Sequence, residues 1–143
     1  MSKSKSYRGL IKDGEQQVIN LKTNTGLTGY QIRKFQIMPY NFNEPDEYTV
    51  QIWKTEQTSI ATNQDFSDNR LLAVAYFGTD GADVVNDSIV IFDNEKFNQN
   101  IFVVCKTQSG QDVNYYIEMD QMKLSLDEQT VATLKDIRNI GAE

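Results

Sequence analysis

The chain has 143 residues, a formal net charge of −6, 39% apolar residues and 24% charged residues. That length suits one domain with a core that needs no metal or disulfide staple, and the composition excludes a disordered chain. No apolar run approaches the ~20 residues of a membrane helix, so neither a membrane span nor a membrane partner is expected. Histidine is absent, which removes the commonest general base near neutral pH and the commonest transition-metal ligand.

Charge is unevenly placed. Residues 1–12 hold Lys3, Lys5, Arg8 and Lys12 and no acid, so the rest carries 10 of the 14 bases and all 20 acids, a net −10. An acidic body argues against nucleic acid as a partner, because phosphate contacts need a basic face. The start "MSKSKS" has no apolar stretch of a secretory signal. Residues 1–14 therefore read as a flexible basic N-terminal arm, with Lys3, Lys5, Tyr7 and Arg8 available to an acidic partner surface.

Residues 15–124 follow the turn signal Asp13-Gly14, and in them short apolar runs alternate with turn signals at Asn24-Thr25-Gly26, Ser67-Asp68-Asn69, Asp80-Gly81 and Ser109-Gly110. This spacing predicts a mainly β fold, an antiparallel β-sandwich of jelly-roll-like form. In "GYQIRKFQIM", Tyr30 and Ile32 keep one parity and Phe35 and Ile37 the other, which predicts a β-bulge at Arg33-Lys34. Pro39 and Pro45 bracket a loop containing Tyr40 and Phe42. Tyr48, Val50 and Ile52 alternate with Thr49, Gln51 and Trp53, which puts Trp53 on the more polar face. Residues 71–77 are apolar at both parities, as in a central strand. Cys105, the single cysteine, lies in "IFVVC" and reads as a small core hydrophobe made in a reducing cytosol. Residues 113–120 alternate like a strand with one wet face.

The C-terminal residues 125–143 change period. Ser125 with Glu128 three residues on is a capping box, Asp127 and Glu128 suit the first turn, and Gly141 can end the helix. Leu126, Val131, Leu134, Ile137 and Ile140 form an apolar stripe. A helix over 126–140 is predicted, packed on the sandwich or on a neighbouring subunit, with its stripe expected to cover the subunit's own core.

Candidate chemistry is sparse. No phosphate- or dinucleotide-binding glycine loop occurs. A pair of carboxylates suitable for glycoside hydrolysis would arise by chance among 20 acids, so no catalytic residue and no cofactor is assigned. Asp80, Asp83 and Asp87, with Asn86, are weak calcium candidates in a turn-rich loop, without the EF-hand spacing. Trp53, or the aromatics of the proline loop, could underlie a sugar ring and is the weak ligand candidate. In "IVIFDNEKFNQNIFV", Asp93-Asn94 signals a turn. The insert reads as a structural corner anchored by an inward Phe97, with the amides of Asn98, Gln99 and Asn100 capping backbone groups.

Taken together, "GLTGYQIRKFQIMP", "DFSDNRLLAVA", "IFDNEKFNQNIFV", "VNYYIEM" and "TVATLKDIRN" resemble small virion structural proteins of marine tailed bacteriophages, of the cyanophage and pelagiphage kind. The similarity spans about Gly26 to Asn139 and carries no catalytic motif. It implies a non-enzymatic building block of the virion, a capsid decoration or cement protein on the head shell. Its implied partners are other virion proteins, the major capsid protein first among them, and further copies of itself, with a trimer expected. The alternative is a lectin-like tail or appendage module that contacts the host surface.

Overall fold

Period-two burial is clearest in the strand formed by Val113–Lys123. Val113, Tyr115, Ile117 and Met119 are buried, while the residues between them face outward. In the computed structural model this strand is β8. The structure describes residues 3–41, 43, 45–60, 63–79, 85–92 and 95–141, with the backbone alone at 79, 85, 86 and 135–141. In chain order the elements are β1 (Lys3–Ile11), β2 (Gln16–Ile19), β3 (Thr28–Pro39), β4 (Glu47–Trp53), β5 (Leu71–Thr79), β6 (Val85–Ile91), β7 (Ile101–Thr107), β8 and the helix α1 (Leu126–Gly141).

The strands form two antiparallel sheets, in the orders β1-β8-β3 and β2-β7-β4-β5-β6. In a jelly roll an eight-stranded chain folds back as one long hairpin, so that first pairs with last, second with seventh, and so inward. The pairs β1–β8, β2–β7 and β4–β5 follow that rule here. β6 departs from it, because it pairs with β5 rather than β3. The smaller sheet consequently lacks a fourth strand, and β3 is its edge.

The sheets enclose one core, in which Phe35, Tyr48, Phe97, Ile52, Ile117 and Met119 are among the fully buried side chains. The parity break in β3 is real: its register with β8 shifts between Ile32 and Lys34. Ile32 and Phe35 can therefore both point inward. β5 is central, as its two apolar faces require. Ala73 and Ala75 join the main core, and Leu71 and Val74 join a second cluster on the outer face.

Residues 3–11 correct the expectation of a flexible arm. They form β1, paired with β8 from Lys3↔Gln121 to Ile11↔Val113. A side-chain pattern as polar as "KSKSYRG" does not announce a strand; the backbone hydrogen bonds to β8 and the burial of Ile11 hold it. Deleting residues 1–12 would strip β8 of a neighbour rather than remove a tether. The basic residues instead decorate an edge strand, where charge discourages edge-to-edge aggregation.

Candidate functional site

The insert between β6 and β7 is a corner. Phe97 and Tyr30 exchange backbone hydrogen bonds at 2.8 and 2.9 Å, and their rings stack with centroids 6.2 Å apart. Asn98 is fully buried, and its amide donates to the Gly26 carbonyl at 3.1 Å and to Thr133 Oγ1 at 2.7 Å. Asn100 Oδ1 accepts from the N–H groups of Leu21 and Lys22 at 2.8 and 2.9 Å. Asp93 and Asn94 lie outside the described residues. The amides of Asn98 and Asn100 thus satisfy backbone groups of the connection between β2 and β3, whereas Gln99 Nε2 donates to the Asn98 side chain at 3.2 Å.

The same corner seats α1. The capping box forms: the Glu128 N–H donates to Ser125 Oγ, and the Ser125 N–H donates to Glu128 Oε1, both at 3.2 Å. The Ser125 N–H, and then Lys96 at 3.4 Å, hold the Glu128 carboxyl below its usual value. Gln129, Ala132 and Thr133, spaced i, i+3 and i+4, turn toward the sandwich. Gly26 (φ 68°) makes the close approach possible, since a Cβ there would lie 3.0 Å from Gln129 Nε2 and 3.3 Å from Asn98 Nδ2.

The helix therefore docks by its small and polar face. The described part of its stripe does not cover the core: Leu126, Val131 and Leu134 are 73%, 63% and 55% exposed, while the side chains of Ile137 and Ile140 lie outside the described residues. Hydrophobicity misidentified the buried side because the seat on the corner is built from hydrogen bonds and a glycine, which have no apolar signature.

Trp53 corrects a second expectation. It is only 8% exposed, packed with Leu71, Val74 and Val104 on the outer face of the larger sheet. The connection between β4 and β5 roofs this face. Ile60 packs on the cluster, Phe66 meets Phe92 edge to face at 5.4 Å, and Gln51 Nε2 donates to Gln64 Oε1 at 2.6 Å. The indole N–H donates to Gln51 Oε1 at 3.1 Å. Lys54, buried beside it, pairs with Glu95 Oε2 at 2.9 Å. With its ring covered and its donor satisfied, Trp53 offers no stacking surface to a sugar.

Asp80 and Asp83 lie outside the described residues, whereas Asp87 is exposed on β6 opposite Phe77. Among the described residues no group of three or more His, Cys, Asp or Glu side chains could hold a metal ion. Tyr40 is exposed in the proline loop; Phe42 lies outside the described residues. Cys105 is fully buried, and burial, followed by the charges of Asp13 and Asp112, pushes its thiol up to about 12. A thiol so shifted is inert at neutral pH.

Two features escaped sequence reasoning. Asp46, buried at the start of β4, caps the β7–β8 turn: its Oδ1 accepts from Gln108 and Ser109 at 3.0 and 2.8 Å, and its Oδ2 from Gln111 at 3.2 Å. Its position after Pro45 was the available hint of a turn-capping acid. The other is a groove of about 650 Å³ on the outer face of the smaller sheet, lined from β1, β8 and β3 and walled by Asp87 and Ile89 of β6. Of the expected contact residues only Arg8 lines it; Lys3 and Lys5 lie further along β1, and Tyr7, paired with the buried Ile117, packs against the core. The sequence matches no protein-family model and no curated protein.

Proposed function

We propose that the protein is a non-enzymatic structural component of a bacteriophage particle, a decoration or cement protein that binds the head shell as a homo-oligomer. The particle assignment rests on the resemblance of the strand and corner segments quoted above. The observation that supports an assembly role is the helix α1, anchored by its polar face and presenting Leu126, Val131 and Leu134 to solvent. Burying three aliphatic side chains is worth ~1.5–3 kcal/mol each, a gain the isolated subunit forgoes. A second copy is the occupant this reading assigns to the stripe, and a trimer is the expected closed form.

The edge strand β1 then gives the oligomer its shell-facing charge. Lys3 and Lys5 are exposed along it on an otherwise acidic molecule, and an acidic patch of the major capsid protein is the matching partner surface. Quantitative mass spectrometry of particles purified from the source phage tests the reading. A copy number comparable with the major shell protein supports a head decoration. A handful of copies per particle would move the protein to the tail or a vertex, and absence from particles would overturn the proposal.

A further inference from the structure

The outer face of the smaller sheet is divided. Toward one end its polar side chains satisfy each other: Arg33 Nη1 reaches Asp120 Oδ1 at 3.1 Å, and the Tyr116 hydroxyl donates to Glu118 Oε2 at 3.0 Å. Toward the other end two rows run across the strands in register, Arg8–Tyr116–Gln36 and Leu10–Asn114–Met38. These rows floor the groove, and Asp87 and Ile89 close it beyond β3. The wall exists because β6 pairs with β5 and stands beside the β3 edge instead of extending the sheet. The side chains of Arg8, Gln36, Asn114 and Asp87 make no hydrogen bond or ion pair among the described residues, so a guanidinium, two amides and a carboxylate converge around one aromatic ring with their valences open.

We infer that this groove binds about two pyranose units of an oligosaccharide that carries a carboxylate on the unit beside Arg8. A pyranose has an apolar C–H face that lies on an aromatic ring, and Tyr116 provides one at the centre of the floor. Its hydroxyls each donate and accept, which matches the planar amides of Gln36 and Asn114 and the acceptor-only Asp87. The Arg8 fork suits a sugar carboxylate bidentately. Strands lie ~4.8 Å apart, so the floor from β1 to β3 spans ~10 Å, room for about two rings before the β6 wall. The floor presents side chains rather than an open backbone edge, which disfavours an extended peptide. One arginine facing an aspartate in an acidic protein disfavours nucleic acid.

The test titrates the isotope-labelled full chain with di- and trigalacturonate and with neutral maltotriose, read by amide chemical shifts. Saturable shifts confined to residues 8–10, 36–38, 87–89 and 114–116 are expected, with the uronates binding more tightly than the neutral sugar. Arg8→Ala should remove the preference for the uronates. Tyr116→Ala should weaken every sugar by about tenfold, and Tyr116→Phe, which keeps the ring, should bind within about twofold of the parent. No saturable shift at millimolar sugar, shifts elsewhere on the molecule, or Arg8→Ala and Tyr116→Ala binding like the parent would overturn the inference. An acidic hexapeptide that produces the same shifts with higher affinity would do so as well. The measurement needs neither the oligomer nor the particle, so its failure leaves the α1 reading standing, and the reverse holds.

Discussion

The two outer faces of the sandwich treat similar residues in opposite ways. Each carries an aromatic ring on a strand flanked by other strands: Trp53 beside Gln51, Val74 and Val104 on the larger sheet, and Tyr116 beside Arg8, Gln36 and Asn114 on the smaller. Trp53 is buried and Tyr116 is half exposed. Strand alternation is the same in both cases. The differences are the apolar Val74 and Val104 that adjacent strands bring beside Trp53, and the connection between β4 and β5, which folds back over the larger sheet, whereas the outer face of the smaller one has polar neighbours and only the β6 wall at its side. Whether an outward aromatic becomes core or surface is thus decided by the neighbouring strands and a distant loop, not by the strand that bears it.

The sharpest way to break this comparison is to truncate both rings. Trp53→Ala should cost about 3–5 kcal/mol in denaturant unfolding, because it empties a packed cluster and leaves Gln51 short of a partner. Equal losses from Trp53→Ala and Tyr116→Ala would show that the roof does not matter. Next in size is the corner. Asn98→Ala should cost about 2 kcal/mol, because it strands the buried Gly26 carbonyl and leaves Thr133 only its bond from Gln129. The same change should raise amide exchange in α1 ahead of the strands. Uniform exchange across the molecule would mean that Asn98 does not hold the helix.

A pH effect separates core from surface in another way. Unfolded, the Cys105 thiol titrates near its ordinary 9.0; folded, it keeps its proton up to about 12. Between these values the folded state binds a proton the unfolded state has released, so this group makes stability fall as pH rises through that window. Cys105→Val should flatten the alkaline slope, and the native thiol should resist alkylation at pH 8 until the protein unfolds. Glu128 has the opposite sign. Its carboxyl is held low by Ser125 and Lys96, so its support of the α1 cap is present above its ordinary 4.5 and is lost as pH falls through the lowered value. The smallest expected effect is that of Tyr116→Ala on stability, within about 0.5 kcal/mol, as for a surface substitution away from the core.

Much of the fold was readable where local chemistry and burial agree. The bulge in β3, the two apolar faces of β5, the capping box of α1 and the inward Phe97 each rest on a few adjacent residues. β1 was missed because its side chains do not alternate in hydrophobicity until Leu10 and Ile11; it is a strand through its partner's backbone. The burial of Trp53 and the orientation of α1 were missed because both depend on contacts between segments far apart in sequence. Gln129, Ala132 and Thr133 rank below Leu126, Val131 and Leu134 on any hydrophobicity scale, yet they form the seat. The groove draws Arg8, Gln36, Asp87 and Asn114 from four strands, and only the sheet order brings them together.

The measurement that tests the assembly account most directly is sedimentation velocity of the full chain beside a variant carrying Leu126→Gln, Val131→Gln and Leu134→Gln. The account predicts a discrete oligomer for the parent and a folded monomer for the variant, with an unchanged unfolding midpoint extrapolated to zero protein concentration. A parent that sediments as a monomer at high concentration, or a variant that keeps the parent's oligomeric state, would contradict it.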